Sequence, residues 1–275
     1  MDSISRLQVT KLLPKHLDHM PARRLGTGIA PRTAFHIRAV LRTVLNAAIP
    51  QLIATNPAAK SRGPDVPDQE MLTLSIEEVG ELIKVSQNHR DCPLWSFLVG
   101  SGVRLGEALG LRCSDYDEKT GQLQIRRQVR RVDGRYALTE LKTKGSRRTL
   151  RLTGTAPEAL ERQRQQQAGD RTAAGQKWED DEVSRSLIFR AATGKPMNGP
   201  SINHRLHKAL AATRLPNVRI HDLRRTYPTL ALKEGASVLE VSRALGHSKP
   251  TVTLNVYSHS SDESQRRLAT TADGL

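Results

Sequence analysis

Apolar residues recur every three or four positions near the start of the chain. In PRTAFHIRAVLRTVLNAAI (31–49), Phe35, Ile37, Val40, Leu41, Val44, Leu45 and Ala48 form such a series, which predicts an amphipathic helix opened by Pro31. Arg38 and Arg42, four apart, are expected on the opposite face. The rhythm lapses in NPAAKSRGPDVPDQE (56–70), where three prolines, a glycine and several charges follow no period, the pattern of a linker. The break predicts a short helical domain over 1–58, a linker over 59–72 and a larger domain over 73–275.

The larger domain starts with Ser75 and Glu78, the spacing of a capping box, ahead of VGELIKV. PLWSFLVGSG and a short helix, RLGEALGL, follow. The spacing then changes from helical to alternating. LQIRRQVRRV and RYALTEL flank Asp133–Gly134, a hairpin turn signal, and RRTLRL (147–152) reads as a third strand. Helices are expected again at 156–168, about 199–212, 222–234, 237–245 and 249–259. The fold class is therefore mainly α with a small antiparallel β-sheet, an α+β domain preceded by a short helical one. Pro228 falls inside the helix expected at 222–234, where a proline removes a hydrogen bond and favours a kink.

Charge narrows the partner. Among 275 residues, 43 Lys and Arg oppose 28 Asp and Glu, a formal net charge of +15. A surplus of this size favours a polyanion, because each phosphate neutralised by a cation releases condensed counterions. Arg38, Arg42, Arg126, Arg127, Arg130, Arg131 and Lys144 are candidates for contacting nucleic acid. No apolar run is long enough to span a bilayer, and MDSISRLQVTKLLPKHL lacks the apolar core of a signal peptide. Cys92 and Cys113 are the only cysteines, and no Cys/His spacing resembles a zinc site. The expectation is a cytoplasmic protein without metal, cofactor or membrane association, held to the nucleoid when bound to DNA.

The remaining question is why LGHSKPTVTLNVYSH (245–259) carries Tyr257 ten residues after His247. A tyrosine there can be a half-buried helix residue. As a nucleophile on a phosphodiester it needs cations for the non-bridging oxygens, an acid for the leaving alkoxide and help with its own proton. The chain offers such groups in SGVRLGEALGL (Arg104), LKTKGSRRTL (Lys142 and Lys144), HDLRRT (His221 and Arg224, one helical turn apart) and LGH (His247). Taken singly each has an ordinary reading: Arg104 as an i,i+3 partner of Glu107, the lysines as a solvated turn, His221 as a helix-start residue, and His247 beside a helix C-cap.

Their order, Arg, Lys, His-x-x-Arg, His, Tyr, resembles that of the tyrosine recombinases, in particular phage-type integrases. SGVRLGEALGLRCSD, LKTKGSRRTL, HDLRRTYPTLALKEGAS and LGHSKPTVTLNVYSH resemble that family's boxes, and GIAPRTAFHIRAVLRTVLNAA with LIATNPA resembles its core-binding domain. The resemblance implies a site-specific recombinase acting on double-stranded DNA through a 3′-phosphotyrosyl intermediate on Tyr257. Arg104 and Arg224 would hold the non-bridging oxygens, His247 would add a hydrogen bond, and His221 would assist at the nucleophile. Lys142 would protonate the leaving 5′-oxygen, with Lys144 as fallback. It also implies a homotetramer on synapsed DNA, accessory DNA-bending proteins as further partners, and no metal. The first domain looks shorter than the family's usual one, which leaves a DNA-binding remnant or accessory factor as the alternative. A type IB topoisomerase has a similar cation set, but the NPA exit and LGH box count against it. Glu107 and Asp115 read as helix and turn residues rather than as a metal-binding cluster.

Overall fold

The computed structural model describes residues 7–18, 28–61, 66, 72–141 and 145–247. The chain divides into two compact units, Met1–Glu70 and Met71–Leu275.

In the first unit, α1 (Pro31–Ala47) begins with proline at its first turn, where no intrahelical N–H is lost. Leu17, Leu45, Ile53 and Ala58 form a small core, with Leu12, Leu41, Ala48 and Ile49 against it. The buried line of α1 runs through Ala34, Leu41, Leu45 and Ala48, whereas Phe35, Val40 and Val44 stay exposed. This corrects the expected stripe. Apolar residues nearly encircle α1, so periodicity could not single out the packed face. Arg38 falls on the buried line, one turn from Ala34. Its guanidinium donates to Ser61 Oγ at 2.9 Å, to the Ala58 carbonyl at 3.3 Å and to the Ser61 carbonyl. It therefore fastens the exit turn instead of facing outward, while Arg42 is exposed. Asn56 completes that turn, accepting from Ala58 N–H at 2.8 Å and donating to the Arg42 carbonyl at 2.9 Å.

The second unit opens with α2 (Ile76–Val85), capped as expected: Ser75 N–H donates to Glu78 at 2.7 Å and Ser75 Oγ accepts from Glu78 N–H at 3.2 Å. Next comes α3 (Cys92–Ser101), buried along almost its whole length. It packs against α5 (Thr155–Ala174) and α7 (Ile220–Lys233). Trp95, Phe97 and Leu98 lie at the centre with Leu123, Ile125, Phe189 and Leu223. Each such side chain contributes about 1.5–3 kcal/mol by leaving water. The short α4 (Leu105–Leu109) leads to five strands, β1 (Tyr116–Asp117), β2 (Gln122–Ile125), β3 (Arg127–Val132), β4 (Arg135–Glu140) and β5 (Arg148–Arg151). The remaining helices are α6 (Gly199–Leu210) and α8 (Val238–Leu245).

The strands make two antiparallel sheets, β1-β2-β5 and β3-β4. At the hairpin tip Asp133 and Gly134 both have positive φ, 47° and 79°, as the turn signal requires. LQIRRQVRRV, expected as one strand, changes sheets at Arg126. Leu123, Ile125 and Val129 are all buried on one parity, so only the hydrogen-bonding partner changes, which alternation does not register. Pro228 is buried inside α7, and the helix continues past it to Lys233. The helix expected at 249–259 lies outside the described residues.

Candidate functional site

Three predicted residues meet where α3, α4, α7 and α8 end or begin. Arg104 is the N-cap of α4, with extended backbone, so its side chain leaves from the mouth of the helix. Gly102 just before it has φ 62°, in the left-handed region. A Cβ there would lie 2.5 Å from the Tyr227 ring, so glycine also lets α7 come close. That approach brings Arg224 of α7 to the Gly102 carbonyl, to which its Nη1 donates at 2.6 Å. Its Nη2 donates to the Leu245 carbonyl at 2.8 Å and lies 3.3 Å from His247 Nε2. A guanidinium only donates, so the histidine nitrogen serves as the acceptor.

The end of α8 explains this wiring. Gly246, φ 64°, closes the helix: its N–H donates to Arg243 and the His247 N–H to Ser242, at 3.0 and 3.1 Å. This is the Schellman pattern, and it leaves the carbonyls of Ala244 and Leu245 without partners inside the helix. Arginines take both. Arg224 bonds Leu245, and Arg148 Nε of β5 donates to Ala244 at 2.5 Å. Two cations at a helix C-terminus also suit the negative end of its dipole.

Glu107 joins the arginines. It is 1% exposed and accepts from the Arg104 N–H at 3.0 Å, Arg104 Nη1 at 2.8 Å and Arg148 Nη2 at 2.9 Å, with Arg224 Nη1 4.0 Å away. Burial works to raise its pKa, but hydrogen bonds and charge from Arg148 and Arg104 outweigh it, so the carboxyl stays ionised well below the usual range. Three guanidinium charges thus face one carboxylate, an excess of two positive charges. Burial, then repulsion from Arg104, pushes Arg224 down to about 9, and it remains charged at neutral pH. Burial and the neighbouring Arg224, Arg104 and Arg148 push His247 down to about 4, so it is neutral at pH 7. A neutral imidazole beside surplus cations suits an arriving anion with several oxygens.

His221 stands on the first turn of α7, exposed, three residues ahead of Arg224. The surrounding protein pushes its pKa down although the residue as a whole meets solvent; Arg225 and Arg224 act in the same direction and Asp222 opposes them. Buried Asp222 anchors this turn, accepting from the Arg219 N–H at 3.0 Å and Arg219 Nε at 2.9 Å. Lys142, Lys144 and Tyr257 lie outside the described residues. Arg126, Arg130 and Arg131 are exposed on the β2–β3 segment, and Arg131 Nε donates to the Gly134 carbonyl at 3.0 Å. Arg127 is tied inward, Nη1 to buried Asp115 at 2.7 Å, so it serves the fold.

The sequence reading paired Glu107 with Arg104, as the structure has it, but missed that Glu107 also holds Arg148 and gave Arg148 no part. Signals existed for both. Glu107 sits among apolar residues in RLGEALGL, and Arg148 shares strand parity with the buried Leu150, an inward position where an arginine needs partners.

The profile of the Phage integrase family matches residues 73–264. The chain belongs to the phage integrase family. A similar curated relative is the Tyrosine recombinase XerC-like protein of Caldanaerobacter subterraneus subsp. tengcongensis, 27% identical over 248 residues, covering 84% of this chain. The integrase-family chain spans 63% of that relative's length. Its fold resembles that of the Tn1549 transposon integrase in complex with transposon right end DNA, with TM-score 0.82, 20% identity, and coverage of 98% of this chain and 89% of that one. It also resembles a lambda integrase tetramer bound to a Holliday junction, with TM-score 0.61, 17% identity, and coverage of 90% and 64%. Among the described residues, no helix is long and apolar enough to cross a membrane.

Proposed function

We propose that this integrase-family chain cleaves and rejoins DNA strands at specific sites by transesterification through a 3′-phosphotyrosyl intermediate. The observation that carries the reading is the meeting of Arg104, Arg224 and His247, from three separate segments, around one buried carboxylate. Those groups bind the non-bridging oxygens of the scissile phosphate and stabilise the charge that grows on them in the transition state. Tyr257 attacks phosphorus, the P–O5′ bond breaks, and Lys142 gives its proton to the departing 5′-oxygen. His221, neutral at pH 7, accepts or orients the tyrosine proton. Attack by a 5′-hydroxyl on the phosphotyrosine reverses these steps on the exchanged strand.

The phosphodiester's energy is kept in the tyrosyl link, so the reaction requires neither a metal ion nor a nucleotide. In this reading the unit before the linker is a DNA-binding domain and the unit from residue 73 on is the catalytic one. Double-stranded DNA is the partner, and four copies assemble on two synapsed sites, by analogy with the lambda integrase tetramer on its Holliday junction. Exposed Arg42, Arg126, Arg130 and Arg131 supply salt-sensitive phosphate contacts. The test is incubation with a nicked suicide substrate, in which the strand released by cleavage diffuses away. Accumulation of a covalent protein–DNA adduct in EDTA supports the reading, and DNA binding without an adduct points to an accessory factor.

A further inference from the structure

The recombinase reading gives Arg148 no role, yet its guanidinium reaches the centre of the site. It has a side-chain exposure of only 7%, too little for a solvated phosphate contact. Each of its nitrogens donates to a different segment: Nε to the Ala244 carbonyl at 2.5 Å, Nη1 to the Ser146 carbonyl at 3.0 Å, and Nη2 to Glu107 Oε2 at 2.9 Å. The stem packs directly under the LGH turn, where a Cβ on Gly246 would lie 3.0 Å from Nη1 and 3.3 Å from Cδ.

We propose that Arg148 is a positioning residue for phosphate binding, acting on Arg104 through Glu107 and on His247 through the α8 turn. The inference rests on the recombinase reading for the reaction it serves. Two consequences of the geometry support it. First, Arg148 satisfies one of the two α8 carbonyls that the Schellman turn leaves open, so with Arg148 on Ala244 and Arg224 on Leu245 the two arginines fix the pair of residues that precede Gly246–His247. Second, it occupies Glu107 Oε2, the oxygen 4.0 Å from Arg224 Nη1. Without Arg148 that oxygen keeps only the Arg104 N–H at 3.0 Å, and its less compensated charge draws Arg224 away from the Gly102 and Leu245 carbonyls that aim its fork. A lysine carries the same charge but has one nitrogen, and it cannot serve three acceptors that lie in three directions.

The test uses the full chain as wild type, Arg148→Ala and Arg148→Lys, with two readouts: the rate of covalent complex formation at saturating nicked DNA, and binding of orthovanadate without DNA. A misplaced phosphate clamp slows the reaction by roughly tenfold to a hundredfold. We expect that loss in both variants, weaker orthovanadate binding, and little change in affinity for intact DNA. Methylguanidinium should restore part of the Arg148→Ala rate, and methylammonium at equal ionic strength should not. If the alanine variant does not fold, Arg148→Lys, which keeps the packed stem, carries the comparison. Wild-type rates and orthovanadate binding in either variant overturn the proposal. So does a loss that follows a lowered melting temperature and resists methylguanidinium, which would leave a packing role. If wild type itself forms no adduct, the recombinase reading falls, and orthovanadate binding alone decides about Arg148.

Discussion

Glu107→Gln isolates the charge at the centre of the site, because glutamine keeps the size and leaves no cavity. The carboxylate is 1% exposed and accepts three hydrogen bonds of 2.8–3.0 Å from Arg104 and Arg148. The glutamine amide would turn an N–H₂ toward one of these guanidiniums and remove the carboxylate that lies between them. Breaking a buried ion pair by losing one partner costs about 3–5 kcal/mol. In a protein of this size 1 kcal/mol corresponds to about 2–4 °C in Tm, so Glu107→Gln should melt roughly 6–20 °C below wild type at pH 7. The pH dependence follows from the depressed carboxyl. The free carboxyl titrates at 4.5 and the folded one lower. The stabilisation is therefore complete above the unfolded value and is lost as pH falls through the folded one. The gap between variant and wild type should hold from pH 7 to about pH 5 and shrink in more acid solution. Differential scanning calorimetry measures both. Melting temperatures within 2 °C of each other at pH 7 would refute the idea that this carboxylate organises the arginines.

Three other outcomes follow from the same structure. His247, held at about 4 by burial and nearby arginines, should rise when a phosphate approaches, so DNA binding near pH 5.5 should take up protons; calorimetry in buffers of different ionisation enthalpy detects this, and His247→Ala should reduce the uptake, with the remainder from His221, whose pKa is also held down. DNA affinity should fall linearly with salt on a log–log plot, by about 0.9 per phosphate neutralised, and a flat response in a filter-binding assay would contradict the exposed arginines' role. Arg38→Ala should lower resistance to proteolysis in the first unit more than it weakens DNA binding, since its guanidinium bonds Ser61 and Ala58 rather than facing outward; the reverse result would count against that assignment.

The sequence made the candidate site residues more legible than the packing. Arg104, Arg224 and His247 were recognisable because they stand beside local signals: a glycine turn, a helix start and a glycine C-cap. Their meeting is a tertiary fact, yet the order of the boxes foretold it. The helix starts were equally readable, since Ser75–Glu78 is a capping box of the expected form. What stayed hidden depends on distant partners. Arg38 and Arg127 look like their exposed neighbours Arg42 and Arg126, and only Ser61 and Asp115 reveal that they are tied inward. Arg148 and Glu107 are 41 residues apart, and no local period links a strand arginine to a helix glutamate. The sheet change at Arg126 escaped for a related reason, because buried parity is preserved while the hydrogen-bonding partner is not.

The claim that Tyr257 is the nucleophile is tested most directly by Tyr257→Phe on nicked DNA. The change removes one hydroxyl, so DNA binding in a gel-shift assay should match wild type, while the covalent adduct, which survives denaturing electrophoresis in the wild type, should be absent. An adduct formed by the phenylalanine protein at the wild-type rate would mean that another side chain attacks the phosphate.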